Sequence, residues 1–117
     1  MTLSKKEIGK LGEDLACEFL EKNGYKILER NKTFSRFCEI DIIAQFKKTL
    51  IFAEVKTRKT NNFGAPLEAI TSTKYKHIKT GLFQYLQENK NKFSNYRIDA
   101  IGITLEPEVK INHLQNI

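Results

Sequence analysis

The feature that most restricts this chain is a pair of apolar strand segments set almost back to back. Cys38–Gln45 and Thr49–Thr57 are rich in Ile, Phe and Val, and only the polar Phe46-Lys47-Lys48 region separates them. Two such runs joined so closely predict an antiparallel hairpin. If the chain turns about the Lys47–Lys48 bond, Asp41 falls opposite Glu54 and Glu39 opposite Lys56. Side chains alternate along a strand, so Glu54 and Lys56 share one face and Val55 takes the other. Directly paired residues project to the same side, which gathers Glu39, Asp41, Glu54 and Lys56. A one-residue change of register would undo the grouping, so it rests on an even-length loop.

Such a grouping is costly for a sheet. Opposed like charges destabilise it, and carboxylates on otherwise apolar strands lose hydration. Two arrangements relieve the cost. A hard divalent cation could sit between Asp41 and Glu54, with Mg²⁺ keeping several waters and room for a phosphate oxygen. Alternatively, Lys56 and Arg58 could neutralise the acids as cross-strand ion pairs. Geometry alone leaves both open. The acid-x-Lys triplet is no guide by itself, since it recurs at Glu88-Lys90 and Glu108-Lys110. Only Glu54-Lys56 has an acidic partner on a neighbouring strand.

Around the hairpin the remaining elements follow from local signals. Ser4 and Glu7 form a capping-box pattern, and Ile8, Leu11, Leu15, Ala16, Phe19 and Leu20 recur at helical spacing up to Asn23-Gly24. Tyr25–Arg30 alternates as a strand. Arg58–Pro66 reads as a loop, followed by a helix from Leu67 or Ser72 to Gln87, with Ile70, Ile78, Leu82, Tyr85 and Leu86 inward and Gly81 as a weak point. Tyr96–Thr104 and Glu108–Leu114 complete the order α-β-β-β-α-β-β. That order predicts an α/β domain with a mixed sheet flanked by helices.

At 117 residues the chain is expected to be a single domain. No apolar run approaches the roughly 20 residues of a membrane span, and the N-terminus lacks the apolar core of a signal peptide. Cys17 and Cys38 are too few for a disulfide framework, so both are read as free thiols in a reducing cytoplasm. Cys17 falls on the inner half of the first helix; the exposure of Cys38 is left open. Twenty Lys and Arg against fourteen Asp and Glu give a net charge of +6, which suits an anionic partner.

Read in order, the motifs resemble the PD-(D/E)xK nuclease superfamily, and more closely the YraN family of small bacterial proteins. The residues that carry the resemblance are Gly9-x-x-Gly12-Glu13-x-x-Ala16, Gly24-Tyr25, Arg30-Asn31, Glu39-Ile40-Asp41, Phe52-Ala53-Glu54-Val55-Lys56-Thr57-Arg58, Phe63-Gly64-x-Pro66, Lys74, Tyr96-Arg97-x-Asp99 and His113-Leu114. One departure is Cys38, where the family usually has Gly, so the local backbone bend is expected to differ.

The resemblance implies a restriction-endonuclease-like core similar to that of archaeal Holliday-junction resolvases. It implies Asp41 and Glu54 as ligands of Mg²⁺ or Mn²⁺, with the Val55 carbonyl completing the inner shell. Lys56 would orient or help deprotonate the attacking water, and Glu13 would approach from the first helix as a further ligand. The implied activity is endonucleolytic hydrolysis of DNA by structure rather than by sequence, with RNA as an alternative substrate. Resolvases act as symmetric dimers, so a homodimer is implied too. A different class of function, a non-catalytic nucleic-acid-binding or partner-recruiting module on the same fold, also fits.

The remaining candidates have bland readings beside the functional ones. Basic residues cluster at Lys5, Lys6 and Lys10, at Lys56, Arg58 and Lys59, and at Lys74, Lys76 and Lys79 with Lys90 and Lys92. Of these, Lys10, Arg58, Lys59 and Lys74 are the nucleic-acid contacts expected of a phosphate backbone laid over the acids. Tyr75 and Phe63 could stack on unpaired bases, although such residues more often pack or anchor loops. Asp99, two residues from Arg97, reads as a structural ion-pair partner. His77 and His113 lack zinc-ligand spacing.

Overall fold

The computed structural model describes residues 2–60 and 70–117, and over them the chain runs α1 (Lys5–Lys22), β1 (Lys26–Ser35), β2 (Cys38–Phe46), β3 (Thr49–Arg58), α2 (Ser72–Glu88), β4 (Asn95–Thr104) and β5 (Lys110–Leu114). The strands form one mixed sheet in the order β1-β2-β3-β4-β5. Only the β3–β4 pairing is parallel, and α2 is the crossover it requires. This is the α/β architecture and element order expected from the sequence. The Phe63 reading, most of the Arg58–Pro66 loop and a helix start at Leu67 lie outside the described residues.

The hairpin turns about the Lys47–Lys48 bond, as the sequence reading supposed. Ile42 pairs with Ala53 and Phe46 with Thr49, which is the register of a turn about Lys47–Lys48. The ladder stops at the Ile42–Ala53 pair, however, so Glu39 never comes opposite Lys56. Glu39 instead pairs with Thr33 of β1 and is exposed.

β1 differs most from expectation. It runs on to Ser35 through Asn31, which has a φ of 51°, and its ladder with β2 shifts register between Ile27 and Glu29 and between Thr33 and Ser35. Tyr25 is not in the strand. It is buried, stacks on Phe46 at 4.7 Å, and its hydroxyl accepts from Arg97 Nη2 at 2.6 Å.

Each face of the sheet carries one core. Ala16, Cys17 and Leu20 of α1 pack with Ile42, Ile51, Ala53, Val55 and Ile101, whereas Ile78, Leu82 and Tyr85 of α2 pack with Ile40, Ile43, Leu50 and Phe52. The alternation along β3, odd residues to α1 and even ones to α2, is the period-two pattern of a strand buried on both faces. Tyr75 packs against the α2 core rather than projecting as a base-stacking ring.

Glycines set how closely both helices approach. A Cβ on Gly81 would fall 2.9 Å from Cys38 Sγ, which explains the apparent weak point in α2. Cys38 is buried there and donates its thiol to the His77 carbonyl at 3.1 Å. On α1 the contact is tighter still: a Cβ on Gly12 would lie 1.7 Å from Thr57 Oγ1. The helix therefore docks through Gly12, Ala16 and Leu20, and Leu11 is turned outward. Gly12→Ala should destabilise the protein by about 2 kcal/mol, the usual scale of overpacking. A urea midpoint equal to that of the wild type would refute this docking.

Candidate metal and phosphate site

Beyond the last β2–β3 pair the strands part, and a cavity of about 680 Å³ opens at this end of the sheet. Its walls hold Lys5, Gly9 and Glu13 of α1, Asp41 of β2, Glu54, Val55, Lys56, Thr57 and Arg58 of β3, Lys59 and Thr60 beyond it, and Lys74 of α2. Lys5, Gly9 and Glu13 stand four residues apart and so share one helix face. Lys10 lies off that face, exposed and 3.6 Å from Asp14, so it is outside the cavity.

Asp41 and Glu54 are the centre of the site. Asp41 Oδ2 accepts the Val55 N–H at 2.8 Å. Glu54 is only 5% exposed, and its carboxylate is bonded by the ammonium of Lys74. Burial, with the Glu54 charge adding to it, pushes the Asp41 carboxyl up to about 7, against the weaker opposing effect of the Val55 hydrogen bond. Burial also opposes the charge on Lys74, but its hydrogen bond to Glu54 and the field of both acids prevail, and its pKa rises.

Of the two arrangements that the hairpin left open, the ion pairs with Lys56 and Arg58 are not formed. Neither Lys56 nor Arg58 forms an ion pair with these acids; Lys74 does, from the first turn of α2. The missed signal was topological, since a crossover helix delivers its start to the end of the strand it leaves. Lys56 and Arg58 line the same cavity. Arg58 Nε is buried and, among the described residues, has no hydrogen-bond partner. Lys59 is 4.0 Å from Glu106.

Glu13 faces the cavity but is tied 3.7 Å from Arg30, which also holds Asp14 at 2.8 Å. Among the described residues, no group of three or more His, Cys, Asp or Glu side chains closes into a metal cluster. What is assembled is a carboxylate pair within a ring of Lys5, Lys56, Arg58, Lys59 and Lys74. Three carboxylates and five cations face one opening. That arrangement can concentrate a polyanion while keeping hard oxygen donors beneath it.

Asp99, Arg97 and His113 lie apart from this cavity's walls and form a structural network. Both thiols are buried, and burial pushes their pKa values up, as expected of unreactive cysteines. No helix among the described residues is long and apolar enough to cross a membrane.

The fold and the cavity define a small mixed α/β domain that holds an acid pair beneath a basic rim. Residues 12–103 match the uncharacterised protein family UPF0102. Over 109 residues the chain is 47% identical to a UPF0102 protein of Dictyoglomus thermophilum, covering 93% of this chain and 92% of that one. It is 41% identical over 117 residues to a UPF0102 protein of Caldicellulosiruptor saccharolyticus, covering 97% and 98%, and 40% identical over 117 residues to one of Geobacter metallireducens, covering 99% and 95%. The chain belongs to UPF0102, which is the YraN family its motifs resemble.

Proposed function

We propose that this chain is a divalent-metal-dependent nuclease domain that hydrolyses DNA, directed by the structure of its substrate rather than by base sequence. The observation that carries the reading is the pairing of half-buried Asp41 with buried Glu54 in a cavity lined by five cations. The superfamily resemblance supports it.

The donor set fits a hard cation. Mg²⁺ is commonly held by one or two carboxylates and fills its remaining positions with water and phosphate oxygen, so a third acid is not required. Asp41 and Glu54 would hold the ion, with the Val55 carbonyl as a neutral donor. A bound divalent cation supplies Lewis-acid polarisation of a phosphoryl oxygen and lowers the pKa of water. Lys56, on the same wall, orients the attacking water and offsets negative charge that develops at the phosphate. Lys5, Arg58 and Lys59, which line the same cavity, hold the flanking backbone. Lys74 balances Glu54 and Glu13 lends negative potential from α1. A symmetric dimer would present two such sites to a branched substrate.

The test is cleavage of labelled linear duplex, single-stranded, flap and four-way-junction DNA in Mn²⁺, with Glu54→Ala beside the wild type. Cutting should disappear in the variant and be strongest on branched or partly single-stranded DNA. Equal cutting by both proteins would place the activity elsewhere. Salt-sensitive DNA binding without cutting, indifferent to metal and to Asp41, would favour the non-catalytic module. Cutting confined to matched RNA substrates would replace DNA with RNA.

A further inference from the structure

The most exposed large apolar side chain among the described residues is Phe37, 64% exposed at the β1–β2 turn. Several contacts hold the turn that carries it. The Ser35–Cys38 pair closes the turn, and the Phe37 N–H donates to Ser35 Oγ at 3.2 Å. The Cys38 thiol then ties the turn to α2 through the His77 carbonyl at 3.1 Å. The Phe37 ring stacks on the His77 imidazole with centroids 5.8 Å apart and planes 25° from parallel. The Arg36 guanidinium lies 4.9 Å from the Phe37 centroid.

This assembly adjoins the acid pair. His77 is one helical turn beyond Lys74, the residue bonded to Glu54, so the two positions are separated by only ~5 Å of rise along α2. Phe37 sits in the turn just before β2, four positions from Asp41, a span of at most about 13 Å. A single nucleic-acid strand running from the cavity along α2 would therefore reach the ring within a few nucleotides. Neither core includes Phe37, whereas its neighbour on β1, Phe34, packs against Phe52 at 5.6 Å.

We infer that Phe37, backed by His77 and flanked by Arg36, is a stacking platform for an unpaired base next to the scissile region, which makes nucleic acid with a free single strand the preferred substrate class. The inference rests on the nuclease reading of the adjoining cavity. A base stacked on an aromatic ring is held more strongly than an exposed cation–π contact, so the exchange is favoured. The base thus displaces Arg36 from the ring and leaves its guanidinium free for a phosphate. A base held in a duplex cannot make this contact, so discrimination follows from geometry rather than from base identity.

The chain contains no tryptophan, so Phe37→Trp creates a single fluorescent reporter. Titrated with oligo-dT in Ca²⁺, its emission should be quenched, whereas blunt duplex of the same length should leave it nearly unchanged. Phe37→Ala should bind oligo-dT about tenfold more weakly than the wild type, bind duplex equally and retain the wild-type Mn²⁺ affinity. Equal losses on single strand and duplex, or no loss on either, would overturn the platform while leaving the nuclease reading intact. A wild type that binds neither strand but binds Mn²⁺ through Asp41 would overturn both the platform and the nucleic-acid substrate. A change of sedimenting mass in Phe37→Ala without a change in strand binding would mark a protein interface instead, and would likewise overturn the platform.

Discussion

Asp41→Asn is expected to make the metal-free protein more stable at pH 8 while abolishing its response to divalent cations. Asp41 titrates near 7 in the fold because burial and the Glu54 charge oppose its ionisation. In the unfolded chain it reverts to about 3.9. Between these values the native state holds a proton that the unfolded state has lost. Wild-type stability therefore falls as pH rises from about 4 to 7 and levels off above. At about 1.4 kcal/mol per pH unit, the interval caps the cost at about 4 kcal/mol. Asp41 is only partly buried and opens onto water, so screening reduces the gain from Asn to about 2 kcal/mol.

Urea unfolding in EDTA at pH 5 and pH 8 checks the sign: the stability difference between variant and wild type should widen with pH. Asn keeps an oxygen for the Val55 N–H, so that hydrogen bond is not the variable. Saturating Mn²⁺ should raise the wild-type midpoint, since a ligand at 100 times its Kd adds about 2.7 kcal/mol. It should leave the variant unmoved. A variant less stable than wild type at pH 8 would show that the acid pair carries no strain. A variant that still responds to Mn²⁺ would take the ion away from Asp41.

How far the site could be read in advance depends on what kind of contact places each residue. Asp41 and Glu54 come together through a two-residue turn and strand alternation, both local and periodic, and the hairpin register is the one supposed from an even-length loop. Glu39 was lost because a register says nothing about where a ladder ends. The position of Lys74 depends on the β3–β4 crossover, which no local spacing encodes, so the only protein counter-charges the hairpin offered were Lys56 and Arg58. Lys10 and Lys5 have the same composition signal, and only the docking of α1 through Gly12 decides which one faces the cavity. β1 outran its predicted end because alternation fades beyond Arg30, whereas pairing with β2 continues to Ser35.

The largest stability loss is expected away from the cavity, at Asp99. This carboxylate is fully buried and meets Arg97 Nε at 3.0 Å, Arg97 Nη2 at 3.0 Å, His113 Nε2 at 2.7 Å and the Asn116 N–H at 3.0 Å. It joins β4 to β5 and to the chain beyond it, and through Arg97 and Tyr25 to the segment that follows α1. Burial works to raise its pKa, but the bonds from His113, Arg97 and Asn116 outweigh it and hold the carboxyl below its ordinary value. Its stabilisation is thus complete above the unfolded value near 3.9 and disappears as pH falls through the lower folded one.

Asp99→Ala leaves the Arg97 guanidinium mostly buried without its carboxylate, a loss of about 3–5 kcal/mol. For a domain of this size that lowers Tm by roughly 15 °C. Asp99→Asn preserves shape but removes the charge, so it should fall between the two and lack the acid-dependent decline of the wild type. At temperatures where Asp99→Asn remains folded, Mn²⁺ should still stabilise it, because the network stands outside the cavity walls. Loss of the Mn²⁺ response in a folded Asp99→Asn would join the two regions into one functional unit and displace the purely structural role.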